Sequence, residues 1–237
     1  MVQLKGTERS KYVSNMFSAI SKRYDLLNTI ISMGQHWIWR RKTVEISTAN
    51  SSGRALDIAT GTGDMAILLS RNPKISSVVG LDFTPEMISI AYKKSKDFKN
   101  KLCYMVADSH HLPFLPASFD LVTVAFGIRN FTDINNALRE MNQILCSGGK
   151  ITILEIVKNS SESPVTKLFG YYFKSIVPLF GLIFAGNKNA YEYLPESVSN
   201  FMTSDEIEDL MIKSGFSNIT SKSLSFGSVL IISGEKI

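Results

Sequence analysis

The sequence predicts an α/β fold built on a mostly parallel sheet. Three observations predict it: short apolar runs alternate with helical patterns, a glycine loop follows the first run, and two β-like runs close the chain. Arg54–Ala59 is an apolar run that enters Thr60-Gly61-Thr62-Gly63, a buried strand turning into a helix over residues 64–71. Val78–Asp82 is the second strand, and Thr84-Pro85-Glu86 starts the next helix with a capping residue and a proline at its first position. Leu102–Ala107 and Phe119–Phe126 give the third and fourth strands. Ile134, Ala137, Leu138, Met141, Ile144 and Leu145 share one helical face, and Gly148-Gly149 reads as the stop of that helix. Ile151–Val157 is the fifth strand. Thr203-Ser-Asp-Glu206 is a capping box for a helix to Lys213, with Gly215 as its stop. The last runs, near Ile219–Leu224 and Val229–Ile232, pair through Ser225-Phe226-Gly227 and suit an antiparallel edge.

With 237 residues, 44% hydrophobic and 20% charged, the chain is neither disordered nor fibrous and buries enough surface to fold without disulfides or a structural metal. A net charge of +5 fits an acidic membrane surface, nucleic acid or nothing specific. No cluster of Lys and Arg interleaved with aromatics appears, and Arg23, Arg40, Arg41 and Lys42 make only a small patch, so nucleic acid is not an expected partner. Cys103 and Cys146 do not form a disulfide framework, and Met1–Lys11 lacks the apolar core of a signal peptide, which points to the cytoplasm. Leu168–Gly186 is nineteen residues with one charge, Lys174. Its length is borderline for a membrane span, and Gly170, Pro178 and Gly181 weaken that reading, so an apolar lid or cap is expected.

The glycine loop matches G-x-G-x-x-A, which leaves open a dinucleotide site, a merely tight turn, or another nucleoside ligand. Its acids favour the last. Asp64 would repel a pyrophosphate at the helix N-terminus, and Asp57 closes in from the strand end. Asp82 ends the second strand 21 residues after Gly61, at the spacing of an acid that bonds ribose hydroxyls, although a helix cap is its competing role. Asp108, with Ser109 beside it, ends the third strand where this fold reaches an adenine amine. Acids at three successive strand ends suit S-adenosylmethionine, which carries a sulfonium and an ammonium but no phosphate. Its expected binding residues are Asp57, Thr60, Gly61, Thr62, Gly63, Asp82, Asp108, Ser109 and Ala125. No metal is expected, since His110-His111 lies on a loop with no Cys or acid to complete a set.

Four segments then resemble the ubiquinone/menaquinone biosynthesis C-methyltransferases of the UbiE type. They are Tyr24-Asp-Leu-Leu-Asn28 with Ser32, His36, Trp39 and Arg40; Ala59-Thr-Gly61-Thr-Gly63-Asp64; Ala125-Phe-Gly127-Ile-Arg129-Asn130-Phe-Thr-Asp133; and Tyr191-Glu-Tyr193-Leu-Pro-Glu196-Ser197. The chain departs from the family pattern at Leu27, Cys146-Ser147, Val157 and Ile232. The resemblance implies a class I S-adenosylmethionine-dependent methyltransferase (Rossmann-like) fold with a seven-stranded sheet. One domain is expected, with a helical cover over residues 8–46, a donor-binding core over 53–157, an apolar substrate cap over 164–200 and a closing helix and strand pair over 203–237. It implies methylation of a carbon of a prenylated quinol, demethylmenaquinol before its benzoquinol counterpart, with another small-molecule O- or N-methyltransferase as the alternative. Arg129, Asn130 and Asp133 are the expected catalytic residues, orienting a water and holding a phenolate, against a capping and salt-bridge role. Arg129 stays charged and is no ordinary base. Tyr24, His36, Trp39, Tyr191 and Tyr193 are expected to contact the quinol ring or close its tunnel, against ordinary packing for the aromatics. A substrate that resides in lipid implies peripheral contact with the inner face of a membrane; a homodimer is left open.

Overall fold

The computed structural model describes residues 6–158 and 188–237. Three helices come first: α1 (Gly6–Ile20), α2 (Tyr24–Ile31) and α3 (Gln35–Ser47). The sheet follows as β1 (Gly53–Ile58), α4 (Asp64–Arg71), β2 (Ile75–Asp82), α5 (Pro85–Lys94), β3 (Leu102–Val106), β4 (Phe119–Ala125), α6 (Ile134–Ile144) and β5 (Leu145–Ile156). The remaining described elements are α7 (Lys188–Ser199), α8 (Ser204–Lys213), β6 (Phe216–Leu224) and β7 (Val229–Lys236). The seven strands lie in the order β3-β2-β1-β4-β5-β7-β6. Strands β1 to β5 run parallel, and β7 pairs antiparallel with both β5 and β6, as the closing pair of runs predicts.

Side chains alternate between two cores because successive strand residues face opposite ways. Val122, Val124, Ile151 and Ile153 pack with Leu138 and Met141 of α6 and with Ile207 and Met211 of α8. Leu121 and Leu154 face the other side, against Trp39 and Val44 of α3 and Met65 and Leu69 of α4. A third cluster joins Met16, Ile20, Leu27 and Ile31 of α1 and α2, with Tyr193 of α7 against it. The central strands β1, β4, β5 and β7 are thus covered on both faces, which is why they read as apolar runs, whereas the edge strands β3 and β6 stay largely open to solvent. At α8 the capping box is complete: Thr203 accepts from the Glu206 N–H while the Glu206 carboxylate accepts from the Thr203 N–H.

One boundary differs from the sequence reading. Helix α6 ends at Ile144, and the chain passes straight into β5 at Leu145, so Gly148-Gly149 lies inside a strand rather than stopping the helix. The register against β4 jumps from Phe119↔Leu145 to Leu121↔Lys150, and the glycines absorb that irregularity. Gly148 has φ +72, and a Cβ on Gly149 would lie 2.8 Å from the Cys146 carbonyl oxygen. Of the cap expected over 164–200, residues up to 187 lie outside the described residues, as does the whole apolar run Leu168–Gly186. Among the described residues no helix is long and apolar enough to cross a membrane.

Candidate active site

The glycine loop is braced from below. Thr60 donates its hydroxyl to Asp57 Oδ2 at 2.5 Å and Thr123 donates to Asp57 Oδ1 at 2.6 Å. Burial pushes the Asp57 carboxyl up to about 6 against these bonds. Asp57 is 1% exposed and lines neither cavity described below, so the structure places it as a brace under the loop. Gly63 precedes α4 at φ +85, where a Cβ would run into the Tyr104 hydroxyl and Ala91. From above, the loop is tied to the N-terminal helices. Thr62 donates to Asp25 Oδ1 at 2.5 Å, and Lys94 Nζ holds Asp25 Oδ2 and Asp64 Oδ1 at 2.6 Å each. Asp64 therefore carries a partnered charge and does not discriminate between ligands as its place in the sequence suggests.

Discrimination falls to Asp82 and Asp108. Both line a cavity at the carboxyl ends of β1, β2 and β4, together with Gly61, Ser109, Ala125 and Asn130, and α1 roofs it with Ser10 and Phe17. Asp82 accepts the Gly61 N–H at Oδ2 and the Thr84 N–H at Oδ1, both at 2.8 Å. Burial raises its pKa while those N–H groups oppose the shift. Thr84 sits at the N-cap of α5 without a capping side-chain bond; Asp82 serves that turn instead. Asp108 takes the backbone N–H of His110 at 2.9 Å and the ring Nδ1–H at 2.6 Å. Burial works against it, but the His110 bonds prevail and hold its pKa below the usual range. His110 Nε2 in turn accepts the Asp133 N–H at 3.2 Å, which fixes the tautomer and ties the third strand's loop to α6.

These residues fit S-adenosylmethionine on the chemistry of the donor set. The cavity is open to solvent on one side and lined by both polar and apolar groups. Two carboxylates and no Lys or Arg stand among its described lining residues, an arrangement that favours a cationic ligand over a pyrophosphate.

A second cavity lies against the first, and Phe17, Tyr24 and Phe126 line both. Apolar side chains of α1 and α2 form much of its wall, with His36, Trp39 and Arg40 of α3, Arg129 after β4, and Tyr193 of α7. Arg129 is 7% exposed; its Nη1 donates to Glu155 Oε1 and, at 3.0 Å, to the Phe126 carbonyl. Burial raises the Glu155 pKa and the Arg129 charge lowers it. Asn130 lines the first cavity and accepts the Tyr193 hydroxyl at 2.9 Å, joining the fourth-strand loop to α7. Asp133 behaves differently from its two companions: it caps α6, accepting the Asn136 N–H at 2.9 Å, and lines neither cavity. Its competing capping role is the one the geometry displays. Tyr191 belongs to α7, and its side chain lies outside the described ones.

His36 is 2% exposed between Thr29 Oγ1 at 3.1 Å and Arg40 Nη1 at 2.7 Å. A guanidinium only donates, so Nδ1 accepts and the ring is neutral. Burial, then Arg40, lowers its pKa to about 4. Sequence reasoning missed Arg40, Glu155 and His110. Of these, Glu155 was legible as a lone acid within the apolar run Ile151–Val157.

Comparison with known proteins decides the family. The model described as the ubiE/COQ5 methyltransferase family matches residues 4–236. The chain belongs to this ubiE/COQ5 methyltransferase family. A demethylmenaquinone methyltransferase of Thermotoga maritima is 39% identical over 232 residues, covering 98% of this chain and 99% of that protein. A ubiquinone/menaquinone biosynthesis C-methyltransferase UbiE of Geobacter sp. (strain M21) is 40% identical over 234 residues, covering 97% and 98%. Solved structures show the same class I methyltransferase fold at much lower identity. A possible histamine N-methyltransferase of Thermotoga maritima superposes with a TM-score of 0.64 at 19% identity, covering 94% of this chain and 99% of that one. The [4+2]-cyclase SpnF does so with a TM-score of 0.67 at 14% identity, covering 98% and 97%. A protein named as a cyclase shares this fold, so the fold alone does not decide the chemistry.

Proposed function

We propose that this ubiE/COQ5 family member methylates a ring carbon of a prenylated quinol, demethylmenaquinol before a benzoquinol, with S-adenosylmethionine as donor. The observation that carries the reading is the pair of abutting cavities, one lined by acids and one largely apolar, with Phe17, Tyr24 and Phe126 common to both. S-adenosylmethionine, bound in the acidic cavity, supplies an electrophilic methyl group on a sulfonium. Asp82 suits its ribose, Asp108 and Ser109 its adenine, and the Gly61 loop its close approach. The chain's own task is alignment of an acceptor ring across the shared wall and management of its phenolic proton. A quinol carbon becomes nucleophilic when the neighbouring hydroxyl ionises, and the ring C–H proton leaves once the new C–C bond has formed. Asn130, oriented by the Tyr193 hydroxyl, is suited to hold a proton-accepting water at the first cavity, and Arg129, paired with Glu155, fixes the loop that carries Asn130.

The acceptor's tail explains two further features. Met33 and Ile38 are 70% and 63% exposed around the turn between α2 and α3, whose Ile31, Ser32 and His36 line the second cavity. A surplus of five positive charges aids docking of that apolar turn on anionic lipid, by about 1 kcal/mol per well-placed basic residue. The deciding experiment is incubation with labelled S-adenosylmethionine and either demethylmenaquinol or its benzoquinol counterpart. Label in the naphthoquinol product is the expected result; label in neither overturns the reading, and label on oxygen makes the chain an O-methyltransferase.

A further inference from the structure

Arg40 is 5% exposed, and its charge has no carboxylate in contact among the described residues. Its Nη1 donates to His36 Nδ1 and to the His36 carbonyl oxygen, its guanidinium lies 5.1 Å from the centre of the Phe126 ring, and its Nε is buried without a hydrogen-bond partner. Asp57 feels the Arg40 charge, but bonds Thr60 and Thr123 instead. Arg129 is the other cation of this cavity, and its charge is matched by Glu155. The described titratable or charged residues on the cavity wall are Tyr24, His36, Arg40, Arg129 and Tyr193, with no carboxylate among them. Burying a cation without a counter-ion costs several kcal/mol, so the unmatched charge in this wall is a strong preference for a bound anion.

We propose that Arg40, steadied by His36 and the Phe126 ring, is the anion-binding residue of the second cavity and holds the ionised ring oxygen of the acceptor, leaving Arg129 to position the loop after β4. The inference rests on the methyl-transfer reading for the identity of the acceptor, but not for the anion site itself. Both guanidinium groups meet at Phe126, one at its carbonyl and one at its ring, so an aromatic anion seated against Phe126 lies within the reach of Arg40.

The test uses 4-nitrophenol, whose anion absorbs visible light, titrated with the full-length protein carrying S-adenosylhomocysteine. In the wild type, bound probe ionises at a pH at least one unit below free probe. Arg40→Gln abolishes that shift, Arg40→Lys keeps part of it, and both retain S-adenosylhomocysteine binding because Arg40 does not line the first cavity. Equal ionisation in wild type and Arg40→Gln overturns the proposal, as does a shift that Arg129→Gln removes and Arg40→Gln does not. Should the glutamine variant not fold, Arg40→Met decides in its place: a shift as large as in the wild type overturns the proposal, and loss of the shift supports it. Failure of quinol methylation by the wild type would instead sink the reading of the previous subsection and leave the probe result standing.

Discussion

Replacing Glu155 by Gln tests how the site holds its charges. Glu155 is fully buried and accepts three donors: the Arg129 guanidinium, the Ile156 N–H at 2.8 Å on Oε1, and the Arg129 N–H at 3.3 Å on Oε2. A glutamine in its best orientation keeps its oxygen on the first two and turns its amide towards the third, which loses the weakest bond, about 1 kcal/mol. The larger effect is electrostatic. Arg129 then stays in the interior without its counter-charge, and removal of one member of a buried pair costs about 3–5 kcal/mol. The lower figure corresponds to roughly a 150-fold change in the unfolding equilibrium. Urea unfolding followed by the fluorescence of Trp37 and Trp39 measures it, with the slope checked for constancy. The paired replacement Arg129→Met with Glu155→Met removes both charges and should lie within about 1 kcal/mol of the wild type, while being inactive. A Glu155→Gln variant within about 1 kcal/mol of the wild type would refute the reasoning, as would a double variant as unstable as the sum of its singles.

Three other outcomes are expected. Gly63→Ala forces φ +85 on an alanine and presses its Cβ against Ala91 and the Tyr104 ring, so thermal unfolding should show a loss of about 1–3 kcal/mol and S-adenosylhomocysteine should bind more weakly; Gly148→Ala, at φ +72 in open space, should cost less and spare that binding. His36 has its folded pKa lowered from 6.5 to about 4, so the unfolded chain takes up the proton first; its contribution is intact above about pH 6.5 and falls by about 3 kcal/mol as the pH drops to about 4. Asp57, raised from 3.8 to about 6, acts in the opposite direction over its own window, so the measurement is the difference between wild type and His36→Gln in urea unfolding from pH 7 to 4, and parallel curves would contradict the burial of a neutral ring. Flotation with anionic vesicles should fall when Met33 and Ile38 become Ser and should weaken with salt; binding that ignores both lipid charge and salt leaves the basic surplus without a role.

Much of the fold was readable because each element carried its own local signal. Asp133 before the stripe Ala137-Leu138-Met141-Ile144 specifies α6, and Thr203 with Glu206 specifies α8, with no help from distant contacts. Gly148-Gly149 misled because a strand irregularity and a helix stop ask the same conformational freedom of glycine, and only pairing with Phe119 and Leu121 tells them apart. Asp82 and Asp108 were legible since strand ends converge in any such sheet. Asp57, Asp64 and Asp133 were not separable from them, because their partners Thr123, Lys94 and Asn136 are set by folding rather than by spacing alone. Arg40 was hidden by its neighbours: beside Arg41 and Lys42 it looks like surface, and only the burial of one face of α3 singles it out.

The two cavities also differ in which parts of the chain build them. Core strand ends and their loops furnish the acids of the first, whereas eight of the twelve described residues that line only the second come from α1 to α3, with Ser32 from the turn between α2 and α3. On the proposed reading, the sheet carries the donor site and the leading helices carry most of the acceptor site. The leading helices can therefore change the second cavity while leaving the acids of the first in place. Grafting the first 47 residues between relatives is then the natural unit of change, larger than a point substitution and smaller than a domain.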